Sequence, residues 1–259
     1  GSRRRADLLR AGASRLEAAA SAAAEPRPLS VDRRGFDLIA EIKPRSPAAG
    51  ALTRGLSMPR AAARGRLYEQ AGALAISVLT EPESFGGSLA LLEEVASATS
   101  LPVMRKDFLV DPLQVLEARV HGAAGVLLIV RLLGDAQLAE MLDAARRARL
   151  FCLLEAFDEQ DLERIGGVGI DSSRVLVGIN CRDLDSLAVR PTRFELLAPR
   201  APAGCPLVAE SGVVDPEGAA TVARCGYRAL LVGTALMRSA EPEAAIAAML
   251  AAGRAEVGR

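Results

Sequence analysis

Lysine is nearly missing from this chain of 259 residues: of 32 basic side chains only Lys43 and Lys106 are lysine, and the rest are arginine. Tryptophan is absent, aromatic residues make up 3%, and His121 is the only histidine. One histidine rules out a His-rich metal site or a Ser-His triad, so no metal is expected. The cysteines, Cys152, Cys181, Cys205 and Cys225, show no CxxC spacing and have no nearby histidine. They read as buried thiols of a protein kept in a reducing, cytoplasmic compartment. The formal net charge is zero, which leaves no electrostatic case for a nucleic-acid or anionic-membrane partner. No apolar run approaches the roughly 18 residues of a membrane span, and no charged-then-apolar secretory pattern opens the chain.

Against that background the two lysines stand out. Arginine stays protonated at any working pH, whereas a buried amine can exchange a proton. Both lysines end apolar runs, in Leu38-Ile39-Ala40-Glu41-Ile42-Lys43 and Pro102-Val103-Met104-Arg105-Lys106-Asp107-Phe108. Charges at the mouths of buried strands mark a candidate active site.

Short runs rich in Val, Ile and Leu recur at 37–43, 73–80, 102–108, 125–130, 151–156, 175–180, 207–212 and 229–234. Continuous rather than alternating apolarity predicts strands covered on both faces, as in a parallel sheet. Helix-compatible segments fall at 59–71, 88–96, 112–121, 135–148, 159–165, 215–225 and 242–252. Ser88 is placed to cap the second of these, Asp111 before Pro112 to cap the third, and His121-Gly122 to end it. Eight strands alternating with helices predict an α/β fold, a closed (β/α)8 TIM barrel at 36–259. An N-terminal helical segment within 1–35 either closes its bottom or folds over its top. A doubly wound sheet would carry a glycine-rich turn after an early strand; here Pro44-Arg45-Ser46-Pro47 follows the first.

Barrels of this kind work at the C-terminal ends of their strands. Those ends supply Glu41 and Lys43, Lys106, Glu155, Asn180 with Arg182, Glu210 with Ser211, and Gly233 with Thr234. Two lysines and three carboxylates in a small volume must pair, Glu41 or Glu210 with a lysine, because buried unpaired charge is costly. Pairing of this kind is expected to bring amine and carboxylate pKa values toward the range of proton transfer. Ser211-Gly212 and Gly233-Thr234 follow the seventh and eighth strands, where phosphate-binding barrels cradle phosphate with backbone N–H groups. Arg182 is a candidate fork for a carboxylate, or a partner of Asp183 or Asp185. Phe85 and Phe108, just past strand ends, are placed to sandwich an aromatic ring or to pack under a loop.

The motifs Glu41-Ile42-Lys43-Pro44-Arg45-Ser46-Pro47, Ser77-Val78-Leu79-Thr80-Glu81-Pro82, Arg105-Lys106-Asp107-Phe108, Gly178-Ile179-Asn180-Cys181-Arg182-Asp183-Leu184, Ala209-Glu210-Ser211-Gly212 and Val232-Gly233-Thr234-Ala235-Leu236-Met237-Arg238 resemble those of indole-3-glycerol-phosphate synthases, in the family's order. The resemblance implies a cofactor-free carbon–carbon lyase of tryptophan biosynthesis. Such an enzyme closes the indole ring of 1-(o-carboxyphenylamino)-1-deoxyribulose 5-phosphate with loss of carbon dioxide and water. It implies Lys106 as general acid, Glu155 as general base, and Lys43 as a second acid or electrostatic stabiliser. Glu41 and Glu210 would tune the lysines, and Asn180 and Ser211 would hold substrate. Ser46 or Arg182 would meet the carboxylate, Phe85, Phe108, Leu184 and Leu231 would line the ring pocket, and Gly212, Gly233 and Thr234 would bind phosphate. The implied partner is a small phosphorylated substrate, with association to other tryptophan-pathway enzymes as a further expectation.

Two places depart from the family pattern: Cys181, where Asn or Ser is commoner, and the stretch after the fifth-strand glutamate. A polar residue is usual two positions after the fifth-strand glutamate, whereas this chain has Glu155-Ala156-Phe157. The expectation is a raised Glu155 pKa by desolvation, or a reshaped ring pocket. Four alternatives have their own signatures, one of them a barrel repurposed by design, which would keep the fold but lose the strand-end charge set that is intact here. Phosphoribosylanthranilate isomerase would use a Cys/Asp pair at the first and fifth strands, where this chain has Glu/Lys and Glu. A non-catalytic barrel scaffold predicts loss of the strand-end charges, and all five are present. A paralogue of a secondary indole pathway would keep the class and change the substrate.

Overall fold

The computed structural model describes residues 2–257 apart from 33, 48–49, 53–55 and 184–185, with side chains from residue 12 onward. Eight parallel strands close a barrel: β1 (Asp37–Ile42), β2 (Ala75–Leu79), β3 (Val103–Lys106), β4 (Gly125–Ile129), β5 (Phe151–Ala156), β6 (Val175–Asn180), β7 (Leu207–Glu210) and β8 (Ala229–Val232). Each strand pairs with its sequence neighbours, and β8 pairs with β1 through the register Ile39↔Leu231. The helices are α1 (Ser2–Ala22), α2 (Met58–Gln70), α3 (Leu89–Ala98), α4 (Pro112–Val120), α5 (Asp135–Arg147), α6 (Glu159–Gly167), α7 (Thr192–Leu197), α8 (Pro216–Arg224), α9 (Thr234–Arg238) and α10 (Pro242–Glu256). The short α7 and α9 go beyond the sequence pattern. α7 is six residues long, starts after Pro191 and runs into a 3-10 turn at Ala198–Arg200, so it shows too few turns for a helical period. A two-stranded ribbon, Arg45–Ser46 with Gly50–Ala51, also follows β1 unforeseen.

Strand alternation divides the core into two layers. Leu38, Ala40 and Ile42 of β1 join the apolar layer beneath the helices, while Ile39 joins the barrel interior with Met104, Leu127, Phe151, Leu153, Leu176, Val208 and Leu231. The two-residue period therefore turns Glu41, Lys106, Glu155, Asn180 and Glu210 inward, above this filled interior. Helix starts follow the local chemistry. Ser88 Oγ accepts from Leu91 N at 3.0 Å. Asp111 accepts from Leu113 N at 2.8 Å, and Gln114 Oε1 accepts from Asp111 N at 3.0 Å, completing a capping box. His121 caps the end of α4, with Nδ1 3.1 Å from Glu93.

α1 packs along α4, and the chain after it runs under the barrel, where Leu29 and Val31 pack against the interior. Arg119 of α4 donates to the carbonyls of Ala23 and Ala24, and Arg27 to Ala96 O at 2.8 Å. The N-terminal segment thus serves the floor of the barrel, not its mouth. Among the described residues no helix is long and apolar enough to cross a membrane.

Candidate active site

At the C-terminal mouth a cavity of about 180 Å³ is lined by Glu41, Lys43, Lys106, Glu155, Asn180 and Glu210. Its wall also includes Ser46, Phe85, Phe108, Arg182, Ser211, Gly212, Leu231, Gly233 and Thr234. Residues from all eight strands and from several of their loops therefore converge at one mouth. Leu184 lies outside the described residues. A larger cavity of about 570 Å³ sits at the opposite end, between residues 25–31 and the strand starts. It holds none of the strand-end acids or lysines, so size does not identify the site here.

The charges form two groups. Lys43 Nζ is 2.5 Å from Glu41 Oε1. Lys106 Nζ lies between two carboxylates, 3.1 Å from Glu155 Oε2 and 3.2 Å from Glu210 Oε2. Glu41, Glu155 and Glu210 are each no more than 2% exposed. Burial alone would lower the Lys106 pKa, but Glu155, Glu210 and Glu41 together outweigh it and hold the amine above its ordinary value. This corrects the expectation that pairing would bring the lysine toward neutrality, because three acids face one amine. Glu210 moves the other way. Desolvation pushes its carboxyl well up, Lys106 opposes the shift, and Glu155 adds to it. Lys106 and Glu210 thus share one tightly coupled buried site, in which the amine is held charged and burial works against the charge of Glu210.

Neighbouring loops are pinned. Asn180 Oδ1 accepts from Arg182 N at 2.9 Å, and Arg182 Nη1 donates to Leu187 O at 2.9 Å. Asp183 instead takes Ser186. Glu81 Oε2 accepts from Ser84 N at 2.7 Å and Phe85 N at 3.0 Å, while Arg45 Nε donates to Ser84 O at 3.0 Å. That holds Phe85 against Phe108, with ring centroids 6.3 Å apart and planes tilted by 51°. A third ring between two parallel ones needs centroids about 7 Å apart, so the pair forms one wall rather than a slot. Ser211 adopts φ 62° without being glycine, strain of the kind that collects at functional sites.

Phe157 belongs to the barrel interior rather than to the cavity wall. Its ring is buried in the barrel interior and lies 4.2 Å beneath the Arg131 guanidinium, which binds Asp161 at 2.9 Å and Asp158 at 2.7 Å. It does not line the cavity, so it does not reshape the ring pocket by contact. Sequence reasoning gave no role to Glu81 and Ser77, although both stand in a quoted motif. Ser77 Oγ and Glu210 Oε1 are the two buried side-chain atoms without a partner among the described residues. Ser77 is paired in register with Glu41, a relation that barrel closure sets and the motif does not show.

Fold and site together define a (β/α)8-barrel enzyme of acid–base chemistry. A family model described as indole-3-glycerol phosphate synthase matches residues 7–249. Among similar proteins, an indole-3-glycerol phosphate synthase of a Nocardioides species is 45% identical over 83% of this chain and 80% of its own length. One of Micrococcus luteus is 42% identical over 96% and 92%. The chain belongs to the indole-3-glycerol phosphate synthase family, carboxy-lyases of tryptophan biosynthesis. Among solved structures, 3-hexulose-6-phosphate synthase from Salmonella typhimurium superposes with a TM-score of 0.68 at 12% identity, covering 85% of this chain and all of that one. At that identity the likeness concerns the barrel alone.

Proposed function

We propose that the mouth of the barrel binds 1-(o-carboxyphenylamino)-1-deoxyribulose 5-phosphate and converts it to indole-3-glycerol phosphate. The observation that carries this reading is the placement of Lys106 between Glu155 and Glu210, with the Lys43–Glu41 pair in the same cavity. The N–H groups of Gly212, Gly233 and Thr234 take the phosphate, as the loops after β7 and β8 do in barrels of this kind. Phe85, Phe108 and Leu231 line the anthranilate ring, with Leu184 assigned there from its motif. Arg182 or Ser46 meets the carboxylate, and Asn180 and Ser211 hold the sugar hydroxyls.

Lys106 gives its proton to the ribulose carbonyl oxygen as the aromatic carbon bonds to the carbonyl carbon. Its raised pKa keeps it charged until that moment. Loss of carbon dioxide returns the C–C bonding pair to the ring. Glu155 then removes a proton while Lys43 protonates the departing hydroxyl, and water leaves. Glu41 and Glu210 hold the two amines in place. These steps need no group beyond the side chains named. The single barrel domain with its N-terminal extension, a cytoplasmic location, and association with other enzymes of the pathway belong to the same proposal.

The test mixes purified protein with the carboxyphenylamino-ribulose phosphate and follows indole fluorescence, against a chain without tryptophan. Growth of the indole signal is expected. No signal from folded protein that still binds the substrate would favour the scaffold alternative. A signal only with a modified anthranilate would favour the paralogue.

A further inference from the structure

At two inward-facing glycines near the mouth of the barrel, a strand-end carboxylate occupies the space a side chain would fill. Gly178 on β6 is the cross-strand partner of Glu155 on β5, and two residues further on Asn180 is the partner of Glu210 on β7. Gly178 therefore stands between the two acids that hold Lys106. A Cβ added there would lie 1.9 Å from Glu210 Oε1 and 3.0 Å from Glu210 Cδ, but 3.2 Å from Leu153 Cδ1. Leu153 can yield by a few tenths of an ångström, but the carboxylate cannot stay. Glu210 Oε1 is buried without a partner, so it rests against the bare Cα rather than on a donor. Across the β8–β1 seam the arrangement repeats: a Cβ on Gly233 would lie 2.0 Å from Glu41 Oε1, the oxygen that holds Lys43. Gly233 has φ −119°, and Gly178 is not among the positive-φ glycines. Their backbones would accept alanine, so the demand is for volume, not for conformation.

We propose that Gly178 is a positioning residue whose missing side chain lets Glu155 and Glu210 share Lys106, and that Gly233 does the same for Glu41 and Lys43. The inference rests on the reading of the mouth as the active site. Chain geometry sets it: with one strand between two acids, only a glycine at the inward position leaves room for both on one amine. Any larger residue turns Glu210 out of its 3.2 Å contact with Lys106. Glu210 then also leaves the buried environment that raises its pKa.

The experiment is a double-mutant cycle of Gly178→Ala with Glu210→Ala, read in thermal unfolding midpoint and, independently, in turnover and its pH profile. Gly178→Ala is expected to lower kcat by about 100-fold with KM within about threefold, and to shift the pH–rate profile. Its midpoint loss should largely vanish in the Glu210→Ala background, where no carboxylate needs the gap. If Gly178→Ala is insoluble, a soluble double variant gives the same support. Equal midpoint losses in both backgrounds, equal insolubility of both variants, or wild-type turnover and pH profile for Gly178→Ala would overturn the proposal. Full activity of Glu210→Ala alone would sink the reading of the site instead, while the midpoint cycle would still report on the gap. Gly233→Ala with Glu41→Ala gives the second arm.

Discussion

Arg105 and Lys106, adjacent on β3, show how one backbone step changes the task of a cation. Strand alternation turns Arg105 outward, where its fork donates to Thr80 Oγ1 at 3.1 Å, Gln114 O at 3.0 Å, Glu117 at 2.8 Å and Asp107 at 3.1 Å. Asp107 in turn accepts from Phe108 N at 2.9 Å. Lys106 turns inward, where a point charge on a flexible stem can give up a proton. Lys106→Met is expected to cut turnover by about 100-fold or more while product affinity, measured by titration, stays within a few-fold. Lys43→Arg keeps the charge yet should lose about tenfold in kcat if proton donation matters there; unchanged kcat would reduce its role to charge alone. Glu210 adds a pH dependence. Its raised pKa means the native state keeps a proton that the unfolded chain releases above about pH 4.5. Its contribution to stability is thus full below that pH and declines as pH rises toward the folded value. Glu210→Gln removes the decline, so denaturant unfolding should show the variant gaining on wild type as pH rises from about 4.5, by at most about 1.4 kcal/mol per pH unit.

The helices divide by how much of their cause is local. α3 and α4 were legible because Ser88 and Asp111 carry the cap chemistry and the apolar spacing follows at once. Asp111→Ala should cost about 1 kcal/mol of stability, seen as a lower unfolding midpoint. Its effect on turnover should be small, since Arg105 still ties α4 to β3 through Gln114 O and Glu117. α7 and α9 were illegible for the opposite reason. Each is only one to two turns long, and packing of Phe194 and Leu197, or of Leu236 and Met237, under the barrel wall stabilises what propensity alone does not. β5 and β6 were read with their observed bounds, whereas the other six strands were read one or two residues long at one or both ends, because pattern in the chain does not mark where the last ladder bond falls.

Across the molecule the two ends of the barrel have separate duties. The mouth gathers every paired lysine and the strained Ser211, while the floor holds the N-terminal segment through Arg27, Arg119 and Arg149. Arg149 follows α5 with φ 60°, where glycine is the unstrained choice, and its side chain pairs with the exposed Glu25. Arg149→Gly should leave kcat and KM unchanged and shift stability by no more than about 1 kcal/mol, because relief of strain offsets loss of a surface ion pair. A large loss of activity would show that floor and mouth are coupled.

Composition, apolar runs and motif order were enough to read eight buried strands, the charged strand ends that meet at the mouth and the family, since each of these is a property of short stretches of chain. Leu231 and Ser46 both line the cavity wall. The partners of the charges were another matter. Which carboxylate holds which amine, the pairing of Arg131 with Phe157 and the gap at Gly178 join residues far apart in the chain. Only barrel closure, with its strand register, sets those distances, and the buried, low-dielectric setting then decides where the protons rest.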